Sequence, residues 1–220
     1  NLVLNNYDPH LYEIDQIKLK AIDGWPFIYW ISDEFRGKFE EAPLENKADV
    51  ISGIKTGNNN GALRFWWELD EKHIFDGEKP LKWIRYTKGG PYKKWYGNNW
   101  LCVNYINEAK YIKNQNSYNL LSEKYMRKVG ITYSGSGSKG VSFRLKDRNI
   151  FFDMGSSAIF CDSDPYYLLA MLNSKLIFYI TNCLNPTVNK QPNDIKRIPI
   201  PQADKKTVED ISNLSKRNVN

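Results

Sequence analysis

Cysteine and histidine are scarce in this sequence. Three cysteines (Cys102, Cys161, Cys183) and two histidines (His10, His73) are scattered over 220 residues. An odd set of distant cysteines is no disulfide framework and fits a reducing compartment, so a cytoplasmic chain is expected. No cysteine pair has zinc-ligand spacing and the histidines stand far apart, so no structural metal site is expected. The same shortage leaves a Cys–His nucleophile or a Ser–His–Asp triad without its parts. No apolar run approaches the roughly 20 residues that a membrane helix needs, and no membrane partner is expected. The chain opens Asn1-Leu2-Val3, with no initiator Met, basic n-region or apolar h-region. It reads as a piece of something longer, without a signal peptide.

What is present is ordinary in amount and uneven in placement. Hydrophobic residues make up 41% and charged residues 25%, a balance that suits one sizeable globular domain with or without an appendage. Residues 79–148 hold fifteen Lys and Arg against three acids, whereas the remainder holds sixteen against twenty-two. Positive charge concentrated in this way builds a local potential whose usual partner is a polyanion.

Short apolar runs separated by turn residues dominate the first three quarters. Strands are expected at Ala62–Leu69, Leu81–Tyr86, Trp100–Ile106, Ile131–Tyr133, Val141–Leu145, Ile150–Asp153 and Ala158–Cys161. Trp25–Ile31 reads as a buried strand or an extended docking segment. Ser32 is suited to cap a helix near 33–40, and Lys47–Ile51 to make a helical turn. Asp164-Pro165 opens the longest helical pattern, Tyr166–Leu184; Gln191–Pro201 reads as extended, and Asp204 caps a last helix, Lys205–Lys216, that has no visible partner. The expected class is α+β: a twisted, mainly antiparallel sheet or partial barrel with flanking helices.

Three stretches have the chemistry to hold a polyanion. Lys82–Asn98 interleaves Arg85, Lys88, Lys93 and Lys94 with Trp95 and Tyr96, and Gly89-Gly90 lets backbone come close to a ligand. Lys55–Arg64 sets Asn58, Asn59 and Asn60 in a glycine-bounded loop; an asparagine amide pairs with adenine, and asparagine also simply makes turns. The loop 134–140, with Ser136 and Lys139, offers small residues and free N–H groups for phosphate but fails the P-loop pattern. Lys88, Lys93, Lys94, Arg85 and Lys139 are the phosphate candidates. Lys55, Asn58, Asn59, Asn60, Arg64, Trp95, Tyr96, Asn98 and Ser136 are the base or loop candidates. No Asn/Asp-Pro-Pro-Tyr/Phe occurs, and no glycine-rich loop follows a strand to seat S-adenosylmethionine. No catalytic residue, metal or cofactor is therefore assigned to this chain. Glu45-Asn46-Lys47 is a bare Glu-x-Lys of the kind metal-dependent nucleases use.

Several motifs together carry a resemblance. They include Gly53-Ile54-Lys55-Thr56-Gly57-Asn58-Asn59, Arg64-Phe65-Trp66-Trp67-Glu68 and Lys88-Gly89-Gly90-Pro91-Tyr92-Lys93-Lys94-Trp95-Tyr96-Gly97-Asn98. Further along come Phe151-Phe152-Asp153-Met154-Gly155-Ser156-Ser157, Leu172-Asn173-Ser174-Lys175-Leu176 and Ile198-Pro199-Ile200-Pro201. In this order the chain resembles the target-recognition region of the large adenine-specific DNA methyltransferases of BREX phage-defence systems (PglX-like). More loosely, it resembles the specificity domains of fused type II restriction-modification enzymes and of type I specificity subunits. The resemblance implies a DNA target-recognition domain over 25–203; the residues on either side read as a connecting segment, 1–24, and the start of a truncated helix, 204–220. It implies double-stranded DNA as partner. It also implies a catalytic methyltransferase domain, with its S-adenosylmethionine, elsewhere in the parent chain, and other defence-complex subunits as further partners. A protein-interaction module and a metal-dependent nuclease are the competing classes.

Overall fold

The computed structural model describes residues 12–75 and 83–219. Among these, eight strands run in chain order: β1 (Ala48–Ile51), β2 (Leu63–Phe65), β3 (Trp83–Thr87), β4 (Leu101–Asn104), β5 (Gly130–Tyr133), β6 (Phe143–Lys146), β7 (Ile150–Phe152) and β8 (Ala158–Cys161). The helices are α1 (Asp33–Gly37), α2 (Asn59–Ala62), α3 (Ile106–Lys113), α4 (Glu123–Met126), α5 (Pro165–Leu172), α6 (Lys175–Leu184), α7 (Pro192–Lys196) and α8 (Lys205–Val219). The class is α+β. The strands form two four-stranded sheets instead of one curled sheet. The first has the order β1-β8-β5-β6 and is antiparallel throughout; the second has the order β2-β4-β3-β7, with β3 and β7 parallel.

Each sheet has its own core. Ile131, Tyr133, Phe143 and Ile159 of the first sheet pack with Leu169, Leu172, Ile177, Ile180 and Ile195 from α5, α6 and α7. Ile84, Tyr86, Val103 and Phe151 of the second pack with Ala62, Ala109 and Ile112 from α2 and α3. Consecutive strands β7 and β8 belong to different sheets, so the turn Asp153–Ser157 joins the two halves. There the Asp153 carboxylate accepts from the Tyr86 hydroxyl at 3.0 Å and from the Gly155 N–H at 2.7 Å.

Local chemistry explains where the expected elements hold and where they move. Ser32 Oγ accepts from the Phe35 N–H at 3.1 Å to start α1, and Asp164 Oδ1 accepts from the Tyr166 N–H at 2.8 Å ahead of Pro165 to start α5. Lys47–Ile51 is not a helical turn: Ala48 and Val50 alternate inward as β1 and pair with β8. Ala62–Leu69 is not a single strand either. α2 ends it at one side, only Leu63–Phe65 is extended, and Trp66–Glu68 is a 3-10 turn closed by the Glu68 carboxylate on the Phe65 N–H. The long helix splits into α5 and α6, bent 68° apart, because Ser174 caps a new helix by accepting from the Ile177 N–H at 3.2 Å. Trp25–Ile31 is irregular and buries only Ile28 and Ile31, tied to α1 by the Arg36 guanidinium donating to the Ile28 carbonyl. Gln191–Pro201 contains α7. The last helix has a partner after all: α8 packs on α5 and buries Ser212 and Ser215. Residues 81–82, the expected start of β3, lie outside the described residues. Among the described residues no single helix is long and apolar enough to cross a membrane.

Candidate nucleic-acid interface

The free edge of the second sheet gathers most of the asparagine-loop candidates. Arg64 of β2 and Arg85 of β3 both pair with Cys102 of β4. Directly opposed residues share a sheet face, so the two arginines leave one face two strand spacings, about 10 Å, apart. The Arg64 guanidinium donates to the carbonyls of Asn60 and Leu63, each at 2.6 Å, and stays exposed. Asn59, Asn60, Arg64, Phe65 and Lys88 line a groove of about 500 Å³, with Glu68 on its wall. Lys88 is held there by Asp153, 3.6 Å from its ammonium.

Within that loop the three asparagines do different things. Asn58 caps α2 by accepting from the Gly61 N–H at 3.2 Å, and its amide donates to the Tyr111 hydroxyl at 3.2 Å. A Cβ at Gly61 would sit 1.7 Å from that hydroxyl, so only glycine lets the turn close on Tyr111. Asn59 accepts from Thr56 Oγ1 at 2.7 Å and keeps its amide N–H groups free of that bond. Asn60 uses its carbonyl for Arg64. Lys55 donates to Ser117 Oγ at 2.6 Å.

Two residues beyond Lys88, a second cleft of about 290 Å³ opens between Gly90-Pro91-Tyr92 and the loop 134–140. Ser136 and Lys139 lie on it and are exposed. The two loops are fastened by a buried relay: the Arg144 guanidinium donates to Ser134 Oγ at 3.1 Å, and that hydroxyl donates to the Gly90 carbonyl at 3.2 Å. Gly90, at φ +109°, occupies a backbone region that L side chains avoid. The rest of the loop is sewn to β6. Trp95, at φ +75°, donates its N–H to the Phe143 carbonyl at 3.0 Å and accepts from the Leu145 N–H at 2.7 Å. Tyr96 donates to Asp147 at 3.2 Å; burial and the neighbouring carboxylate push its hydroxyl pKa up. Asn98 is inside, its amide donating to the Pro91 carbonyl at 3.0 Å. Asn98 and Trp95 therefore shape the loop.

The phosphate candidates divide the same way. Lys93 and Lys139 are exposed, and Arg85 is half-buried with its guanidinium 5.6 Å from the Trp66 ring. Lys94 instead donates to the Asn173 carbonyl at 2.6 Å and ties the loop to the end of α5. The cationic middle third is not one surface. Arg144 is wholly buried, and burial pushes its guanidinium down to about 10. Lys146, 1% exposed, donates to the carbonyls of Met126, Lys128 and Asp147, at 3.2, 2.8 and 3.1 Å, between the rings of Phe152 and Phe160. Burial pushes its ammonium down to about 7. Lys128 pairs with Asp162 at 2.8 Å and Lys124 with Asp49 at 3.8 Å. Lys79 and Lys82 lie outside the described residues.

Among the described residues no three His, Cys, Asp or Glu side chains gather as a metal site. Glu45 is exposed on a short turn, while Lys47 is turned to the Ile200 carbonyl at 2.7 Å. The feature that sequence reasoning missed is the exposed trio Phe65, Trp66 and Trp67. Read as a strand, it would put Trp66 and Trp67 on opposite faces; the 3-10 turn brings both to the surface beside the groove. The alternating Arg64-Phe65 and Arg85-Tyr86 pairs were the signal for the shared arginine row.

No protein-family model matches the chain. Over 193 residues, 84% of its length, the chain is 32% identical to the adenine-specific methyltransferase BrxX of Escherichia coli O9:H4 (strain HS). Over 210 residues, 87% of its length, it is 28% identical to the adenine-specific methyltransferase PglX of Lacticaseibacillus casei (strain Zhang). It is thus homologous to these methyltransferases along most of its length. The matched region is 16% of the first relative and 17% of the second, so the chain spans about one sixth of their length.

Proposed function

We propose that this chain is the duplex-reading part of a BREX-type adenine-specific DNA methyltransferase. In the parent enzyme it would hold the target site while a separate domain binds S-adenosylmethionine and methylates an adenine turned out of the stack. The chain itself supplies grip and readout, and no catalytic step. The observation that carries this reading is the meeting of loops distant in sequence. The asparagine loop with Arg64 and Lys88 lines one groove, and the Gly-Gly-Pro-Tyr loop with Ser136 and Lys139 lines the next, two residues along the chain. Exposed cations beside free amides suit phosphate positioning next to base-edge readout. Similarity to two adenine-specific methyltransferases over most of the chain supports the same reading. The compartment proposed for such an enzyme is the cytoplasm.

The test is fluorescence anisotropy with a labelled duplex. Affinity should fall as salt rises from 50 to 200 mM, with a log–log slope of about −0.9 per phosphate neutralised. Unlabelled duplex should displace the label. Absence of duplex binding at low salt would sink the reading.

A protein-docking role is the second reading, and a separate patch favours it. Tyr12, Phe27, Tyr29 and Trp30 are exposed and meet edge to face, at centroid distances of 5.1, 5.7 and 5.2 Å. A DNA-mimicking acidic inhibitor would compete at the cationic grooves, whereas a subunit seated on this aromatic patch would leave duplex binding intact.

A further inference from the structure

We propose that Phe65, Trp66 and Trp67 form a platform for one unpaired nucleobase in the DNA bound at the second sheet's edge. This rests on the duplex-binding reading and adds a site to it. Phe65 and Trp67 are stacked face to face, with centroids 4.5 Å apart and planes 9° from parallel. Trp67 nonetheless keeps 58% of its surface in solvent, so the pair is a stack with its next position open. Trp66 stands perpendicular to Trp67, at 5.7 Å, and forms a side wall.

The charges around the stack match a nucleotide rather than an apolar peptide. Arg85 already lies over the Trp66 ring, and Arg64 and Lys88 line the adjoining groove with Phe65. Among the acids nearby, Glu68 accepts from the Phe65 N–H at 2.7 Å, and Asp70 pairs with Lys72 at 2.6 Å. A base laid on Trp67 would extend the stack while its phosphate meets Lys88 and Arg64 in the groove that Phe65 lines. Stacking of this kind contributes about 1–3 kcal/mol per base and is indifferent to base identity.

The N-terminal aromatic patch shows what the alternative looks like. Its three ring pairs cross at 61°, 62° and 88°, the edge-to-face packing of a protein interior, and it presents no parallel stack to extend. Bases inside an intact duplex are already stacked on both sides, so the platform has a use only where a base is unpaired or extruded.

The experiment compares an intact duplex with the same duplex carrying a one-nucleotide bulge, by anisotropy at fixed salt. The chain should bind the bulged duplex about tenfold more tightly, at the low end of the stacking range. Trp67→Ala should abolish that preference and leave affinity for the intact duplex within twofold, and Trp67→Tyr should retain most of it. Circular dichroism would confirm that the variants fold. Equal affinity for the two duplexes in the parent chain, or a preference that persists in Trp67→Ala, would overturn the platform while leaving duplex binding in place. Binding to neither DNA would remove the duplex reading and the platform together.

Discussion

The two sheets use positive charge in opposite ways. In the first, the cations of β6 are internal: Arg144 fastens two loops from beneath and Lys146 fills three carbonyls between aromatic rings. In the second, the cations of β2 and β3 lie at the surface beside amides and exposed rings. The same residue types thus build the scaffold on one side and offer a surface on the other. Net charge along the chain measures their sum, and only strand position tells which is which.

The largest effect should come from removing a scaffold cation. Lys146→Ala leaves buried carbonyls without a donor and opens space between Phe152 and Phe160, and should cost about 3 kcal/mol of stability. Urea unfolding would measure this, and the folded variant should keep its duplex affinity within twofold. A large loss of affinity without loss of stability would break the division between the sheets.

Next in size is the reverse case. Arg64→Ala with Lys88→Ala should weaken duplex binding at least tenfold and make the log–log salt slope shallower by about 1.8, while lowering the urea midpoint less than Lys146→Ala does. Replacing Lys94 instead should lower stability more than affinity, because its ammonium holds the Asn173 carbonyl.

A pH series sharpens the same contrast. Burial holds the Lys146 ammonium near 7, below its value in the unfolded chain, so between pH 7 and 10 the unfolded state carries the extra proton. Unfolding free energy should therefore rise with pH across that window, and Lys146→Met should remove that part of the rise. The smallest effect belongs to Lys139. Exposed on the 134–140 loop, it should contribute a two- to threefold, sequence-independent share of affinity when changed to Ala, with stability unaltered.

Much of the fold was legible because its signals are local. Asp164-Pro165 and Ser32 start helices where capping chemistry says they should, and β4, β5, β7 and β8 fall within one or two residues of their apolar runs. Helix and strand failed where long-range pairing decides. Lys47–Ile51 alternates over too few residues to fix its own structure, and pairing beside β8 makes it β1. Phe143-Arg144-Leu145-Lys146 alternates like a strand with one wet face. That face is dry because Trp95 pairs along β6 and the Phe152 and Phe160 rings cover Lys146, contacts that sequence spacing does not encode. The site was half legible. Loop composition marked both clefts, but their adjacency depends on the short Lys88-Gly89-Gly90 link that leaves β3, and the aromatic trio was hidden by reading a 3-10 turn as strand.

Hydrogen–deuterium exchange of the chain with and without duplex DNA tests the central assignment most directly. Slowed exchange should fall on residues 59–65, 85–97 and 134–140, with α5 and α6 unchanged. Protection confined to the 25–30 aromatic patch or to α5 and α6 would contradict the placement of DNA on the second sheet's edge.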